Sequence, residues 1–197
     1  MQMELFVGLS RAPYAWRMTS IASVRLPIDW TSLGWPAEPS LAAITLSTGD
    51  PAWGWTPAAP AFGIHALQPA DGQPVEGFTV DHIVMLVPEL EAAISTLSRV
   101  DLEPRLRMAV SGRPAAFFRA GTVLEVIEAP VREASIYGLA LTAHESLETL
   151  SLAWKGRGLD VGSIKPAIQP GRRIMTVRGL DAGLAVMSED GAVSTET

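Results

Sequence analysis

The sequence predicts an α+β fold in which a strand–helix–strand–strand–strand unit occurs twice in tandem, behind a β-rich N-terminal extension. Two observations carry this. From Phe78 onward, short Val/Ile-rich apolar runs alternate with helical segments, and the order recurs after about 56 residues. The 15 prolines and 17 glycines in 197 residues break the chain into many short elements, which suits mixed α and β structure better than a helical bundle.

The first unit opens with "TVDHIVMLV", apolar on both faces, as a strand covered on both sides should be. "PELEAAISTLSRV" follows as a helix. Pro88 suits its first turn, and Glu89 and Glu91 stand where the helix dipole favours acid. Leu90, Ile94 and Leu97 fall at i, i+4, i+7 and form one buried stripe. "LEPRLRMAV", "RPAAFFRAG" and "TVLEVIEAP" are three further strands, with turns at "SGR" and "AGT". In the second unit "SIYGLALTA" is the strand. "HESLETLSLAWKGRG" is the helix, with Leu147, Leu150 and Trp154 on one face and Gly158 as C-cap candidate. "LDVGSIKPAI", "RRIMTVRG" and "LAVMSED" complete it. "LSRVDLEP" and "AWKGRGLDV" occupy equivalent helix exits.

Residues 1–78 differ in texture. They hold Trp16, Trp30, Trp35, Trp53 and Trp55 and the stretch "GDPAWGWTPAAPAFG". "SIASVRLPIDW", "LAAITLSTG" and "FGIHALQP" read as strands, whereas "TSLGWPAEPS", with two prolines, does not read as a helix. "PADGQPVEG" reads as a linker or long turn. The segment is either an eroded βαβββ-like module or an extension covering a sheet edge. The domain reading is therefore an extension over 1–78, a repeat domain over 79–190 (modules 79–132 and 133–190), and a flexible tail over 191–197.

Composition bounds the function. At 48% hydrophobic the chain can bury a substantial core. A net charge of −6 speaks against nucleic acid and against an anionic membrane surface as partners. The lack of cysteine excludes disulfides, thiolate nucleophiles and Cys-ligated metals. "MQMELFVGLSRAPYAW" has too short an apolar run for a secretory signal, and no stretch approaches a membrane span of about 20 apolar residues. A cytoplasmic protein is expected. No phosphate loop, dinucleotide fingerprint, "GxSxG" elbow or "HExxH" occurs.

"VDHIVMLVPELEAAI" and "AAFFRAGTVLEVIEAP", followed by "YGLALTAHESLETL" and "PGRRIMTVRG", resemble the vicinal oxygen chelate superfamily over about residues 79–190. That group includes glyoxalase I, bleomycin-resistance proteins and extradiol dioxygenases, and the chain resembles a glyoxalase-like domain protein. The resemblance implies eight strands curled into a half-open barrel. It also implies a metal ion held by one residue from each of four strands: His, Glu, His or Gln, and Glu. Such a set suits Zn, Ni, Fe or Mn acting as a Lewis acid on vicinal substrate oxygens. Carried onto this chain, His82 stands at the metal position of the first strand and Glu125 at that of the fourth. The fifth-strand position falls on Gly138 and the eighth near Val186, neither of which can ligate. Reaching Glu189 needs a slip of three, which turns a side chain to the other face of a strand. His144 lies at the helix entrance. Swapping modules between two identical chains would still supply only Gly138 and Val186.

His82 itself has three readings: a packed core histidine, a pocket acid/base group, or a metal ligand. Glu125 shares a face with Val123 and Ile127 and, if buried, needs a partner, for which His82 is the natural choice. Phe117 and Phe118 point to opposite faces, so that one lines the cavity. Arg105 and Arg107 share a face, with Arg119 on the next strand and Arg172 and Arg173 in "PGRR". An inward arginine would grip a ligand carboxylate, while an outward one would lie along the surface. Trp53 and Trp55 share a face and either wall the cavity mouth or plug a sheet edge; His65 reads as packed. The pocket is thus expected to involve His82, Glu125, Phe117, Arg105 and Arg107. It would hold a small, apolar or aromatic ligand without a complete four-ligand metal site, as bleomycin-resistance members do. The alternatives are a divalent-metal lyase, isomerase or dioxygenase using His82 and Glu125, and a metal-free module that forms a homodimer through an apolar edge.

Overall fold

The computed structural model describes residues 19–68 and 70–189. The readings of the first 16 residues and of the 191–197 tail lie outside the described residues.

The N-terminal segment forms six strands: β1 (Ser20–Leu26), β2 (Pro39–Leu41), β3 (Ile44–Thr48), β4 (Ala52–Thr56), β5 (His65–Ala66) and β6 (Gln73–Pro74). They lie in the order β5-β4-β1-β3-β2-β6, with β1 parallel to β3 and antiparallel to β4. In a βαβββ module the first strand instead pairs in parallel with the last, so this sheet is wired differently from the repeat domain. The prolines of "TSLGWPAEPS" leave only a 3-10 turn, Trp30–Leu33. Asp29 caps it by accepting the Thr31 N–H at 3.0 Å, and Gly34 closes it at φ +87°. "LAAITLSTG" is a hairpin of β2 and β3 rather than one strand, turned at Ala42, whose φ is 53°. The stretch read as a linker contains β6, whose Pro74 is tolerated on a sheet edge.

The first module consists of β7 (Phe78–Val87), α1 (Leu90–Ser98), β8 (Leu106–Val110), β9 (Arg113–Ala120) and β10 (Thr122–Glu128). The second consists of β11 (Ser135–Ala143), α2 (Leu147–Gly156), β12 (Asp160–Val161), β13 (Lys165–Pro166), β14 (Arg173–Arg178) and β15 (Gly183–Ser188). "LDVGSIKPAI" is thus two strand fragments rather than one strand. The sheet order is β12-β14-β15-β11-β7-β10-β9-β8, with β13 on β14. In each module the first and last strands are parallel, β7 with β10 and β11 with β15, and the modules join through antiparallel β7 and β11. This is the wiring that the resemblance to the vicinal oxygen chelate superfamily implies. The sheet curls until β8 at one edge and the β13 hairpin at the other line the same cavity.

Both helices cover the convex face. α1 buries Leu90, Ala93, Ile94 and Leu97, and α2 buries Leu147, Leu150 and Trp154. They share a core with Ile83, Met85, Leu124, Val126, Leu139, Leu141, Leu184 and Val186. Pro88 lies just outside α1, not in its first turn. Glu89 makes no side-chain cap, and Glu128 of β10 instead accepts the Leu90 N–H at 3.0 Å. The equivalent exits are built alike. Leu102 N–H bonds the Leu97 carbonyl (3.2 Å) and Leu159 N–H the Trp154 carbonyl (3.1 Å), each across a left-handed residue, Asp101 in one and Gly158 in the other. The N-terminal segment is fastened to this domain by aromatic rings. Trp35 meets Phe78 of β7 at 4.9 Å and Trp154 of α2 at 6.4 Å, and Phe78 stacks on Trp154 at 6.3 Å.

Candidate ligand cavity

Strand alternation decides which side chains reach the concave face. Parallel pairing sets Val123 beside His82 and Glu125 beside Val84, and antiparallel pairing sets Phe117 beside Glu125. Ile83, Met85, Leu124 and Phe118 take the helix side and are at most 1% exposed. The cavity between the sheet edges measures about 790 Å³. Leu106, Met108, Phe117, Val123, Ile174 and Met187 give it apolar walls, and Ile168 and Pro170 line it as well. Asp81, His82 and Glu125 also line it and lie close together.

A β-bulge brings these three together. Leu141 pairs with Val80 and Ala140 with His82, leaving Asp81 as an extra residue on β7. The bulge resets the alternation. Val80 faces the core, whereas Asp81 and His82 both reach the cavity. The Thr122 hydroxyl donates to the Val80 and Asp81 carbonyls at 2.9 and 3.0 Å and braces the bulge from β10.

The imidazole lies between two carboxylates. Its Nε2 is 3.3 Å from Glu125 Oε2 and its Nδ1 is 3.6 Å from Asp81 Oδ2. Asp81 is in turn gripped by Arg172, whose Nη1 donates to both its oxygens at 2.9 and 3.1 Å. Arg172 Nη2 donates to Thr142 Oγ1 at 2.7 Å and its Nε to the Ser188 carbonyl at 2.8 Å. Burial pushes the Asp81 carboxyl up, but hydrogen bonds and charge from His82 and Arg172 outweigh it and hold the group below its ordinary value. Burial also pushes Glu125 up, and the His82 charge only partly offsets this, so its carboxyl sits above its ordinary value.

His82, Glu125 and Phe117 therefore line one cavity. Arg105 and Arg107 do not. Arg107 is on the helix side and pairs with Glu91 of α1 at 2.6 Å, while Arg105 is exposed and its backbone N–H donates to the Phe117 carbonyl at 2.7 Å. The odd register of β8 is the reason: Leu106 and Met108 take the cavity side. Arg173 pairs with Glu148 on the outside. Trp53 and Trp55 pack edge to face at 5.0 Å in β4 and line no part of the cavity, and His65 is exposed rather than packed. Sequence pattern by itself placed neither Asp81 nor its Arg172 partner at the polar cluster. An acid inside an apolar strand was visible in "VDHIV", but the bulge that turns it inward was not.

The donor set does not fit a divalent ion. A catalytic site normally holds one with three protein ligands. Gly138 has no donor, and a Cβ built on it would overlap the Gly183 carbonyl of β15. Val186 is not the cavity position of β15: it faces the core at 0% exposure, and Ala185 and Met187 face inward. Asp81 and Glu125 flank opposite edges of the imidazole ring and so do not converge on one point. Glu189 pairs with His144 at 3.4 Å near solvent. Among the described residues no three His, Asp or Glu groups are placed to share an ion.

No family model matches the chain, and no curated protein matches it in sequence. Solved structures are similar in backbone. Methylmalonyl-CoA epimerase from Mycobacterium tuberculosis matches at 13% identity and a TM-score of 0.47, over 55% of this chain and 86% of that one. A hypothetical protein from Bacillus halodurans C-125 matches at 16% and 0.48, over 58% and 96%. Streptomyces coelicolor methylmalonyl-CoA epimerase, in complex with 2-nitronate-propionyl-CoA, matches at 13% and 0.45, over 56% and 96%. Among the described residues no helix is long and apolar enough to cross a membrane.

Proposed function

We propose that this chain binds a small, predominantly apolar or aromatic molecule in the concave cavity, and does so without a divalent metal. The observation that carries the reading is a cavity of about 790 Å³ lined by Leu, Met, Phe, Val and Ile side chains, with Asp81, His82 and Glu125 clustered together among them. That size suits one drug-sized molecule, and the pattern of apolar walls with a few convergent polar groups is that of a ligand site. His82 and Glu125 then act as polar groups of the pocket.

A ligand that binds only the native state must raise its melting temperature. A thermal-shift screen against aromatic and hydrophobic small molecules should give concentration-dependent stabilisation by some members. Phe117→Ala and Met108→Ala should weaken it. Metal analysis of protein purified without chelators should find substoichiometric divalent ions. A library without a single stabilising member, or a stoichiometric tightly held metal, would overturn the reading.

A further inference from the structure

We infer that β8 is an interface between two copies of this chain, which pair through it antiparallel about a two-fold axis at Met108 and so join their large sheets edge to edge. The pairing is read from the protein without a ligand and does not depend on the cavity being a binding site.

The ends of the sheets are not alike. The N-terminal sheet ends in β5 and β6 and the large sheet in β12, each of two residues, too short to offer another chain a ladder. At its other end the large sheet closes with β8, five residues in one unbroken register on β9. The sequence of β8, LRMAV, has no proline or lysine to discourage pairing, and its one charge, Arg107, is matched by Glu91 of α1. Four of the five residues are exposed, among them Leu106 at 52% and Met108 at 37%. A mostly apolar strand that is open to solvent and has backbone groups unpaired along one side is completed by another strand.

The charge pattern of the strand selects a second copy in one register. An axis that makes two copies of one strand antiparallel stands perpendicular to the sheet, so one residue lies opposite its own copy and facing residues share a side. An axis at Leu106 would set Arg105 opposite Arg107, and an axis at Arg107 would set that residue opposite itself. Like charges directly opposed are unfavourable. An axis at Ala109 pairs only Met108, Ala109 and Val110 within the strand, because the left-handed turn at Ser111 and Gly112 ends it. An axis at Met108, the middle of β8, pairs all five residues. Leu106 then faces Val110 and Met108 faces itself on the cavity side, while Arg107 faces Ala109 on the helix side. No like charges oppose each other in this register. Leu106 and Met108 are also wall residues of the cavity, so each copy flanks the other's cavity with apolar side chains.

The chain has no cysteine, so a single introduced thiol can report the axis. Sedimentation equilibrium of the full-length chain at micromolar concentrations should show a reversible dimer. Under mild oxidation Met108→Cys should give a disulfide-linked dimer, since facing Cβ atoms in such a pair lie about 4.5–5.5 Å apart. Leu106→Cys should not, because its own copy is offset by four residues, about 13 Å along the strand. Ala109→Lys sets a second cation opposite Arg107 at two symmetric places and should weaken the dimer by about fivefold or more, whereas Ala109→Glu should not weaken it. A chain that stays monomeric overturns the inference and leaves the cavity reading standing. So does a dimer cross-linked by Leu106→Cys and not by Met108→Cys, or one that Ala109→Lys and Ala109→Glu affect equally. Should Met108→Cys not fold, the contrast between the two Ala109 variants decides.

Discussion

The two modules share a scaffold and differ in what they show to the cavity. On the convex side they are near copies: each buries a helical stripe, and each helix leaves through the same kind of backbone hydrogen bond. On the concave side they part. β7 and β10 present His82 and Glu125, whereas at Gly138 of β11 a Cβ would overlap the Gly183 carbonyl of β15, and β15 brings Met187 to the cavity. The convex face carries the helix packing, and the concave face carries the buried polar cluster of His82, Asp81 and Glu125. A polar set can be removed from one module without touching the core that holds both.

Arg172 is the polar tie between the modules, and cutting it should break the pairing hardest. Arg172→Ala leaves Asp81 buried without its counter-charge and should cost about 3–5 kcal/mol in urea unfolding. Adding Asp81→Asn should restore part of the loss, because the uncompensated charge is then gone. A loss of a few tenths would show that the modules are held by packing alone.

The asymmetry can be challenged next by giving the second module a side chain. Gly138→Ala places a Cβ against the Gly183 carbonyl and should cost about 1–3 kcal/mol, read from the denaturant midpoint. An unchanged midpoint would mean that β11 and β15 can part, and a ligand residue could be accommodated there.

A smaller effect separates the two carboxylates of the first module. Glu125 is raised by burial, so its favourable contribution is complete below the ordinary glutamate range and is lost as pH rises through its elevated folded value. Asp81 is lowered, despite burial, by His82 and Arg172. Its contribution is present above the ordinary aspartate range and is lost as pH falls through its depressed value. Stability curves from acid to neutral pH should therefore show Glu125→Gln gaining on the parent as pH rises. They should show Asp81→Asn losing less than the parent as pH falls. Parallel curves for all three proteins would contradict both assignments.

The smallest effect is expected on the convex side. The Arg107–Glu91 pair is at least half exposed at both side chains, and Arg107→Ala should change stability by no more than about 0.5 kcal/mol and ligand binding not at all. A lost ligand response would return Arg107 to the site.

The sequence alone determined the repeat, both helices and most strands from Phe78 onward. These follow from local period and from turn residues such as Gly112 and Gly121, which sit at φ +78° and +81°. It also determined that His82 and Glu125 exist without a matching donor at Gly138. The tertiary structure decided everything that depended on a shift of one residue. The Asp81 bulge swaps faces within β7, the register of β8 sends Arg107 outward, and that of β15 turns Val186 into the core. It also decided the order β4-β1-β3 in the N-terminal sheet and the Trp35–Phe78–Trp154 contact that fastens it. The physical reason is that helical period and turn chemistry are local. Strand register has a period of two, so one inserted residue reverses every assignment beyond it, and only the partner strand says where it lies.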